Sequence, residues 1–241
     1  MKLIRLPVML AAAFLCFSTI GLAMAAPSES SVSMGHSTRV IMNSDQKRIS
    51  FPVNNSLSYP VLFHALVLND EKSAYSPYFI TSPEVTELKP NETKMVQMVR
   101  LGGDFSTDRE TLFYLQGHFL PSADSTSDKK SGVNLSYALQ MKLFFRPEKL
   151  KPEFDAVDEH MDEIDFEVTD GKLIAKNNSP YYLTINALKT DKELVNVKPN
   201  QSMIEPFGTQ EFDIHHRDPK SISWTLLNDG GFATEPMTRQ L

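Results

Sequence analysis

The most informative segment of the chain is Val133-Asn134-Leu135-Ser136-Tyr137-Ala138-Leu139-Gln140-Met141-Lys142-Leu143-Phe144-Phe145. Every odd-numbered position in this segment is apolar, and most even-numbered positions are polar. Because successive side chains of a β-strand point to opposite faces, this alternation predicts one long strand with one apolar face. At about 3.3 Å per residue the strand would be about 40 Å long, more than twice the usual length. Such excess length needs an explanation beyond ordinary core packing.

The sequence on either side of this strand marks its ends. Residues 122–132 are a polar, low-complexity segment, which predicts a flexible loop before the strand. After the strand, Arg146-Pro147 and Lys151-Pro152 would interrupt a ladder, because proline has no N–H to donate. We therefore predict a linker there, with a domain boundary near residue 150.

The rest of the chain alternates short apolar-patterned runs with turn residues, and beyond residue 25 it shows no sustained helical period. Strands are predicted at residues 48–53, 61–67, 93–99, 164–168, 173–175, 182–185 and 221–227. Many short strands separated by turns are typical of β-sandwiches. The predicted fold class is therefore all-β, with one sandwich in residues 26–150 and a second in residues 151–241.

The first 25 residues have the pattern of a secretory signal peptide. Lys2 and Arg5 precede an apolar run over residues 8–22, and Ala23-Met24-Ala25 follows it. No later stretch approaches the length of a membrane span. The single cysteine of the chain, Cys16, lies inside this segment, so the secreted protein would have neither a disulfide nor a thiol nucleophile.

The charge balance excludes two classes of partner. The chain has 24 basic and 30 acidic residues, and loss of Lys2 and Arg5 with the signal leaves 22 against 30, a net charge of −8. This balance argues against nucleic acid and against an anionic membrane surface. Eight of the fifteen residues from 153 to 167 are acidic. They could bind a cation, but the run lacks the order of an EF-hand, and a solvated linker with an edge strand is favoured.

The sequence gives little support to an enzyme. It contains no Gly-x-Ser-x-Gly, no His-Glu-x-x-His and no glycine-rich phosphate loop. The six histidines are scattered, and the adjacent pair His215-His216 would face opposite sides of a strand. We therefore predict no catalytic residues, no metal and no cofactor.

Six segments resemble, in the right order, the periplasmic pilus (fimbrial) chaperones of the chaperone–usher pathway. They are residues 38–41, 82–83 followed by 88–91, 108–115, 142–147, 177–182 and 224–230. Two positions depart from the family pattern: Asn177-Asn178-Ser179-Pro180 replaces Asn-Pro-Thr-Pro, and Gly230 replaces a tyrosine. Because residues 122–132 are few and lack cysteine, the chain is most similar to the short-loop branch.

The resemblance implies a boomerang of two immunoglobulin-like sandwiches with an interdomain cleft. In the family an arginine and a lysine on the floor of the cleft bind the C-terminal carboxylate of a pilus subunit, and here they match Arg39 and Lys142. Both side chains donate hydrogen bonds to anions.

The resemblance also gives the long strand a purpose. Family members insert the apolar face of this strand into the groove of a subunit that lacks its own last strand. The inserted side chains would be those of Val133, Leu135, Tyr137 and Leu139. A further match implies a charge network between the domains, formed by Glu110, Arg146 and Asp229.

These matches lead to a functional prediction. The chain would be a periplasmic chaperone that binds, folds and caps pilus subunits by donor-strand complementation and delivers them to an outer-membrane usher. Whether the free protein self-associates is left open. The alternative is a secreted sandwich that is itself a pilus subunit or adhesin. Two domains, a long strand and no cysteine after the signal favour the chaperone.

Overall fold

The computed structural model describes residues 31–69, 75–122 and 136–241, which form sixteen strands and one short α-helix, α1 (Ala156–His160). The strands of the first half are β1 (Val32–Met34), β2 (Arg39–Asn43), β3 (Arg48–Asn55), β4 (Val61–Leu68), β5 (Phe79–Ser82), β6 (Val85–Leu88), β7 (Glu92–Arg100), β8 (Thr111–Pro121) and β9 (Tyr137–Arg146). The strands of the second half are β10 (Ile164–Thr169), β11 (Lys172–Asn177), β12 (Leu183–Thr190), β13 (Met203–Ile204), β14 (Thr209–Asp213), β15 (Ser221–Leu226) and β16 (Met237–Gln240).

The first sandwich packs a five-stranded sheet, in the order β2-β9-β8-β4-β6, against a four-stranded sheet, β1-β3-β7-β5. Its strands alternate as the sequence predicts, since Phe63 and Ala65 in β4 are buried while His64 between them is only half-buried. Phe63 is the cross-strand partner of Phe119 in β8, and their ring centroids lie 4.7 Å apart. The core is formed by buried side chains of both sheets, and its residues come from positions 32 to 145 of the sequence.

The second sandwich packs β10-β11-β14 against β13-β12-β15-β16 and has a core of its own, from Val157 to Leu226. Trp224 in β15 is 1% exposed, and its ring lies 4.9 Å from that of Phe166. Its Nε1 donates to the carbonyl oxygen of Met161, which satisfies the polar end of a buried indole. The described chain thus forms two immunoglobulin-like sandwiches, which confirms the predicted all-β fold class.

The structure corrects the sequence analysis at two places in the second half. Residues 153–167 include the edge strand β10, as predicted, but also the one-turn helix α1. His215 and His216 do not lie on opposite sides of a strand, because β14 ends at Asp213. The backbone N–H groups of both histidines donate to a carboxylate oxygen of Glu193, at 2.8 Å each, and the backbone bends at His215.

Some predictions fall outside the described residues. These are the signal peptide over residues 1–25 and most of the predicted loop over residues 122–132. Among residues 31–69, 75–122 and 136–241, no helix has the length and apolar composition required to cross a bilayer. In the same residues, no group of three or more His, Cys, Asp or Glu side chains is placed to hold a metal ion.

Candidate functional site

Arg39 and Lys142 lie side by side, although 102 positions separate them in the sequence. Strand β2 runs parallel to β9, and Arg39 pairs with Lys142 in the register of the two strands. On the other side of β9, Lys142 pairs with Tyr114 of β8. The three side chains thus form one row across the outer face of the sheet. They line a cavity of about 540 Å³ together with Thr184, Ser202 and other residues of the second sandwich, so the cavity lies between the two sandwiches.

The guanidinium of Arg39 is buried and only partly paired. Arg39 is 6% exposed; its Nη1 donates to the carbonyl oxygen of Leu227 at 3.1 Å, and the ring centroid of Phe144 lies 5.5 Å from its central carbon. Its Nε has no hydrogen-bond partner among the described residues. Burial lowers the pKa of Arg39, while the carboxylates of Asp229 and Glu110 oppose that shift. A buried charged donor without an acceptor is costly, and an entering anion would remove that cost.

Lys142 points away from the apolar residues on either side of it. Met141 and Leu143 are buried in the core, whereas Lys142 is half-buried and lines the cleft. The pairing of β9 with β8 is regular from Tyr137 to Phe145, without a bulge. The alternation predicted from sequence is therefore correct, and the apolar set and the lysine serve different faces of one regular strand.

The predicted charge network is assembled at the end of β9. Nε of Arg146 donates to Glu110 at 2.8 Å, and its two Nη atoms donate to the two carboxylate oxygens of Asp229 at 2.7 and 2.9 Å. Arg146 is 3% exposed and Glu110 is 4% exposed. Burial opposes the charge on Arg146, but the hydrogen bonds and charges of the two carboxylates outweigh burial and raise its pKa. Arg146 thereby joins a loop of the first sandwich to a loop of the second.

Other residues of this junction were not predicted as site residues, although residues 180–182 lie in one of the segments that resemble the family. The backbone N–H of Glu110 donates to the carbonyl oxygen of Pro180 at 3.0 Å, and the carboxylate of Glu110 accepts from the backbone N–H of Tyr182 at 2.9 Å. The hydroxyl of Tyr181 donates to the carbonyl oxygen of Leu150 at 2.6 Å. Burial raises the pKa of Tyr182 to about 12.

Asp155 is a second addition to the junction. Its carboxylate accepts from the backbone N–H groups of Val157 and Asp158, at 2.9 and 3.2 Å, and so caps helix α1. The other oxygen accepts from the backbone N–H of Asp229 at 2.9 Å. A solvated linker does not describe this residue. The signal in the sequence is an aspartate directly before a helix-compatible segment, which is the usual pattern of an N-cap.

The N-terminal half of β9 has an open edge. Residues 137–145 pair with β8 on one side, but β2 pairs with β9 only from Lys142 onwards. Among the described residues, no strand pairs with Tyr137–Met141 on that second side. Tyr137 and Leu139 are half-buried and pack against the margin of their own core. Val133 and Leu135 lie outside the described residues.

The fold and the cleft define a class of protein: two immunoglobulin-like sandwiches, joined through the ion pair of Arg146 with Asp229, with a basic site between them. Comparison with known proteins agrees. Residues 33–151 match the family model described as "Pili and flagellar-assembly chaperone, PapD N-terminal domain". Residues 159–237 match "Pili assembly chaperone PapD, C-terminal domain". The chain belongs to the family of pili assembly chaperones.

Individual relatives are similar along most of their length. The chaperone protein PsaB of Yersinia pestis is 27% identical over 217 residues, which cover 80% of this chain and 78% of PsaB. The chaperone protein HifB of Haemophilus influenzae is 29% identical over 205 residues, covering 80% of this chain and 82% of HifB.

Two solved structures have the same fold with 26% identity. One is a chain of the Salmonella enterica complex of the SafA pilin with the SafB chaperone, with a TM-score of 0.76 and coverage of 90% of this chain and 99% of that one. The other is the E. coli chaperone DraB, with a TM-score of 0.76 and coverage of 88% and 97%.

Proposed function

We propose that this protein is a periplasmic chaperone that captures pilus subunits by lending them a β-strand and passes them to an outer-membrane usher. The observation that carries the proposal comes from the described residues: there the edge of β9 is open over Tyr137–Met141, and it ends beside a buried cation with an unpaired donor. An extended chain can add to a free sheet edge through backbone hydrogen bonds. SafB, which resembles this chain, is found with a pilin, and the named relatives are chaperones. The alternative of a pilus subunit or adhesin has no such support.

The roles of the residues follow from this proposal. The side chains of Val133, Leu135, Tyr137 and Leu139 enter the groove of the subunit, and Arg39 with Lys142 binds its C-terminal carboxylate. Four buried apolar side chains contribute roughly 6–12 kcal/mol before ordering costs. Charge-assisted hydrogen bonds add about 1.5–3 kcal/mol each. The apolar strand thus supplies most of the affinity, while the carboxylate sets the register, because a slip of one residue would turn the apolar set away from the groove.

The remaining parts of the proposal concern domain organisation. Residues 1–25 direct export, residues 26–150 carry the donor strand, and residues 151–241 form the opposite wall of the cleft. The trio Glu110, Arg146 and Asp229 fixes the angle between the two domains. The protein holds and delivers other chains without catalysing a reaction.

The test is purification of the tagged protein from the periplasm of the cells that produce it, with quantitative mass spectrometry of the pilin-type subunits that copurify. We expect subunits with the wild type and at least a tenfold loss with Arg39→Ala or Lys142→Ala. Lys172→Ala is the matched control, because Lys172 is an exposed lysine of the second sandwich. Undiminished recovery with the two cleft variants, in folded protein, would overturn the carboxylate assignment.

A further inference from the structure

The loop that follows β15 reaches across to the cation of the cleft. Arg39 belongs to the first sandwich, yet the oxygen that accepts its Nη1 hydrogen bond is the carbonyl of Leu227, in the second. We refer to residues 227–231 as the β15–β16 loop. The place of the Arg39 guanidinium is thus set partly by the backbone of the other domain.

The same loop also lies in close contact with the two residues that precede Arg39. Oγ of Ser37 donates to the carbonyl oxygen of Gly230 at 2.8 Å. A Cβ atom added to Gly231 would lie 2.7 Å from Oγ of Ser37 and 2.8 Å from Oγ1 of Thr38. Gly231 has a φ of +81°, which disfavours other residues. Glycine is therefore needed for the backbone of the loop to approach the start of β2.

The loop itself is fixed by an ion pair and by backbone hydrogen bonds. Asp229 binds Arg146 through both carboxylate oxygens, and its backbone N–H donates to Asp155. The backbone N–H of Gly231 donates to the carbonyl oxygen of Asn228 at 2.8 Å, which closes a tight turn. A rigid loop of this kind can fix the position of whatever rests on it.

We propose that the β15–β16 loop is the positioning element of the Arg39 guanidinium, and that the anion site is complete only when the two sandwiches are docked. This inference rests on the proposed function of Arg39 as a carboxylate ligand. Gly231 takes part because it allows the approach, Leu227 because it accepts from Nη1, and Asp229 because it anchors the loop. The charged trio then has a second task besides fixing an angle, since it keeps the acceptor of Arg39 in place.

The test uses the full chain and acetate, the simplest carboxylate, as the probe. The Nε–Hε resonance of Arg39, assigned with the Arg39→Lys variant, is followed by NMR during an acetate titration. In the wild type we expect a shift of that resonance with acetate. In Gly231→Ala we expect a displaced starting resonance, because the Phe144 ring lies close to the guanidinium, and affinity about fivefold weaker. Gly102→Ala is the matched control, since a Cβ there meets nothing within 4 Å.

The outcomes distinguish the carboxylate site from its positioning. No response of Arg39 to acetate in the wild type would overturn the carboxylate site itself. A response in the wild type that Gly231→Ala leaves unchanged, in both starting resonance and affinity, would overturn only the positioning role. Should Gly231→Ala fail to fold, Ser37→Ala replaces it, because that variant deletes the bond to Gly230 without adding an atom. We expect about a twofold weaker affinity for Ser37→Ala and a shifted resonance, and no change in either would also reject the proposal.

Discussion

Each sandwich has a buried asparagine at the end of one strand, and the two asparagines make the same hydrogen bonds. The loops that follow them, however, have different contacts. Asn55 ends β3 and Asn177 ends β11, and both are 0% exposed. The side-chain amide of Asn55 donates to the carbonyl oxygens of residues 59, 88 and 89, and that of Asn177 to those of residues 181, 204 and 205. Each side-chain oxygen accepts from the backbone N–H two residues further on. Both asparagines therefore tie a strand end to two other segments.

The loops that begin at these two asparagines have different contacts. After Asn55 the chain sends Leu57, 5% exposed, into its own core. After Asn177 the chain instead presents the carbonyl oxygen of Pro180 and the N–H of Tyr182 to Glu110 of the first sandwich. In the described part of the chain, the loop after Asn55 packs only within its own sandwich, whereas the loop after Asn177 also joins its sandwich to the other one. An interface can therefore be added to a sandwich without changing the bonds that stabilise it.

The last strands of the two sandwiches also differ, in their length and in their pairing. β16 has four residues and pairs with β15, whereas β9 has ten residues and pairs with β8 and β2. All four residues of β16 pair with β15. β9 is longer than its pairing with β2 requires, and its surplus is the half with the open edge.

The largest expected effect is loss of either asparagine. Asn55→Ala and Asn177→Ala should each lower the free energy of unfolding by about 4 kcal/mol, because several buried carbonyl groups lose their donor at once. Urea denaturation measures this loss. Only Asn177→Ala should also change the domain angle, as seen by small-angle X-ray scattering. An equal change of angle in Asn55→Ala would contradict the comparison of the two loops.

The next effect separates the two halves of β9. Leu143 is 0% exposed, and Leu143→Ala should cost about 3 kcal/mol of unfolding free energy, as deletion of a core side chain does. Leu139 is only half-buried, and Leu139→Ala should cost about 1 kcal/mol while weakening subunit capture. Calorimetry and copurification give the two quantities. Equal losses of stability would place Leu139 in the core of its own domain.

Asp155 gives a smaller effect that depends on pH. Asp155→Ala removes a helix cap and should cost about 1 kcal/mol, while Asp155→Asn retains a good capping oxygen. Burial, with the charge of Asp229, raises the pKa of Asp155, so the folded protein holds this proton more tightly than the unfolded chain does. Ionisation of Asp155 therefore costs stability as the pH rises through the raised pKa. Wild type should lose stability relative to Asp155→Asn between acidic and neutral pH in denaturation curves, and the opposite trend would reject this sign.

The smallest expected effect is at the rim of the junction. The guanidinium of Arg109 lies 4.9 Å from the ring centroid of Phe207, across the two sandwiches. Arg109 is half-buried and is also paired with Asp108. Arg109→Ala should lower the melting temperature only slightly, because a solvent-accessible cation–π contact is weak. Thermal melting measures this change, with Arg109→Lys as the variant that keeps the charge, and a larger drop than that of Asp155→Ala would show that the contact matters more than the helix cap.

Local patterns predicted most of the fold. Alternation of apolar residues identifies strands such as β3, β4 and β7, because the period of two is imposed by the strand itself. The same pattern could not reveal that, within the part of the chain that the structure describes, β9 is unpaired along part of one edge. That property depends on where β2 begins, and β2 lies about a hundred residues earlier in the chain.

The cleft was less accessible to sequence reasoning. The proximity of Arg39 and Lys142 was expected from family resemblance, since nothing in their spacing brings them together. Asp155 has only the pattern of an N-cap within an acidic run, and Gly231 has only the turn pattern of Asp229-Gly230-Gly231; neither pattern reveals the distant partner. Each of these residues acts through contacts with a distant segment, and such contacts are not encoded in any local period.

The parallel pairing of β2 with β9 sets a limit on what the open edge can accept. A sheet edge holds one strand at a time, and from Lys142 onwards that place is already taken by β2. A guest chain that runs along β9 towards the cleft therefore meets a physical stop at Arg39. The open edge therefore has a fixed length: a guest strand can pair with β9 only up to this point, and any further residues would have to leave the plane of the sheet.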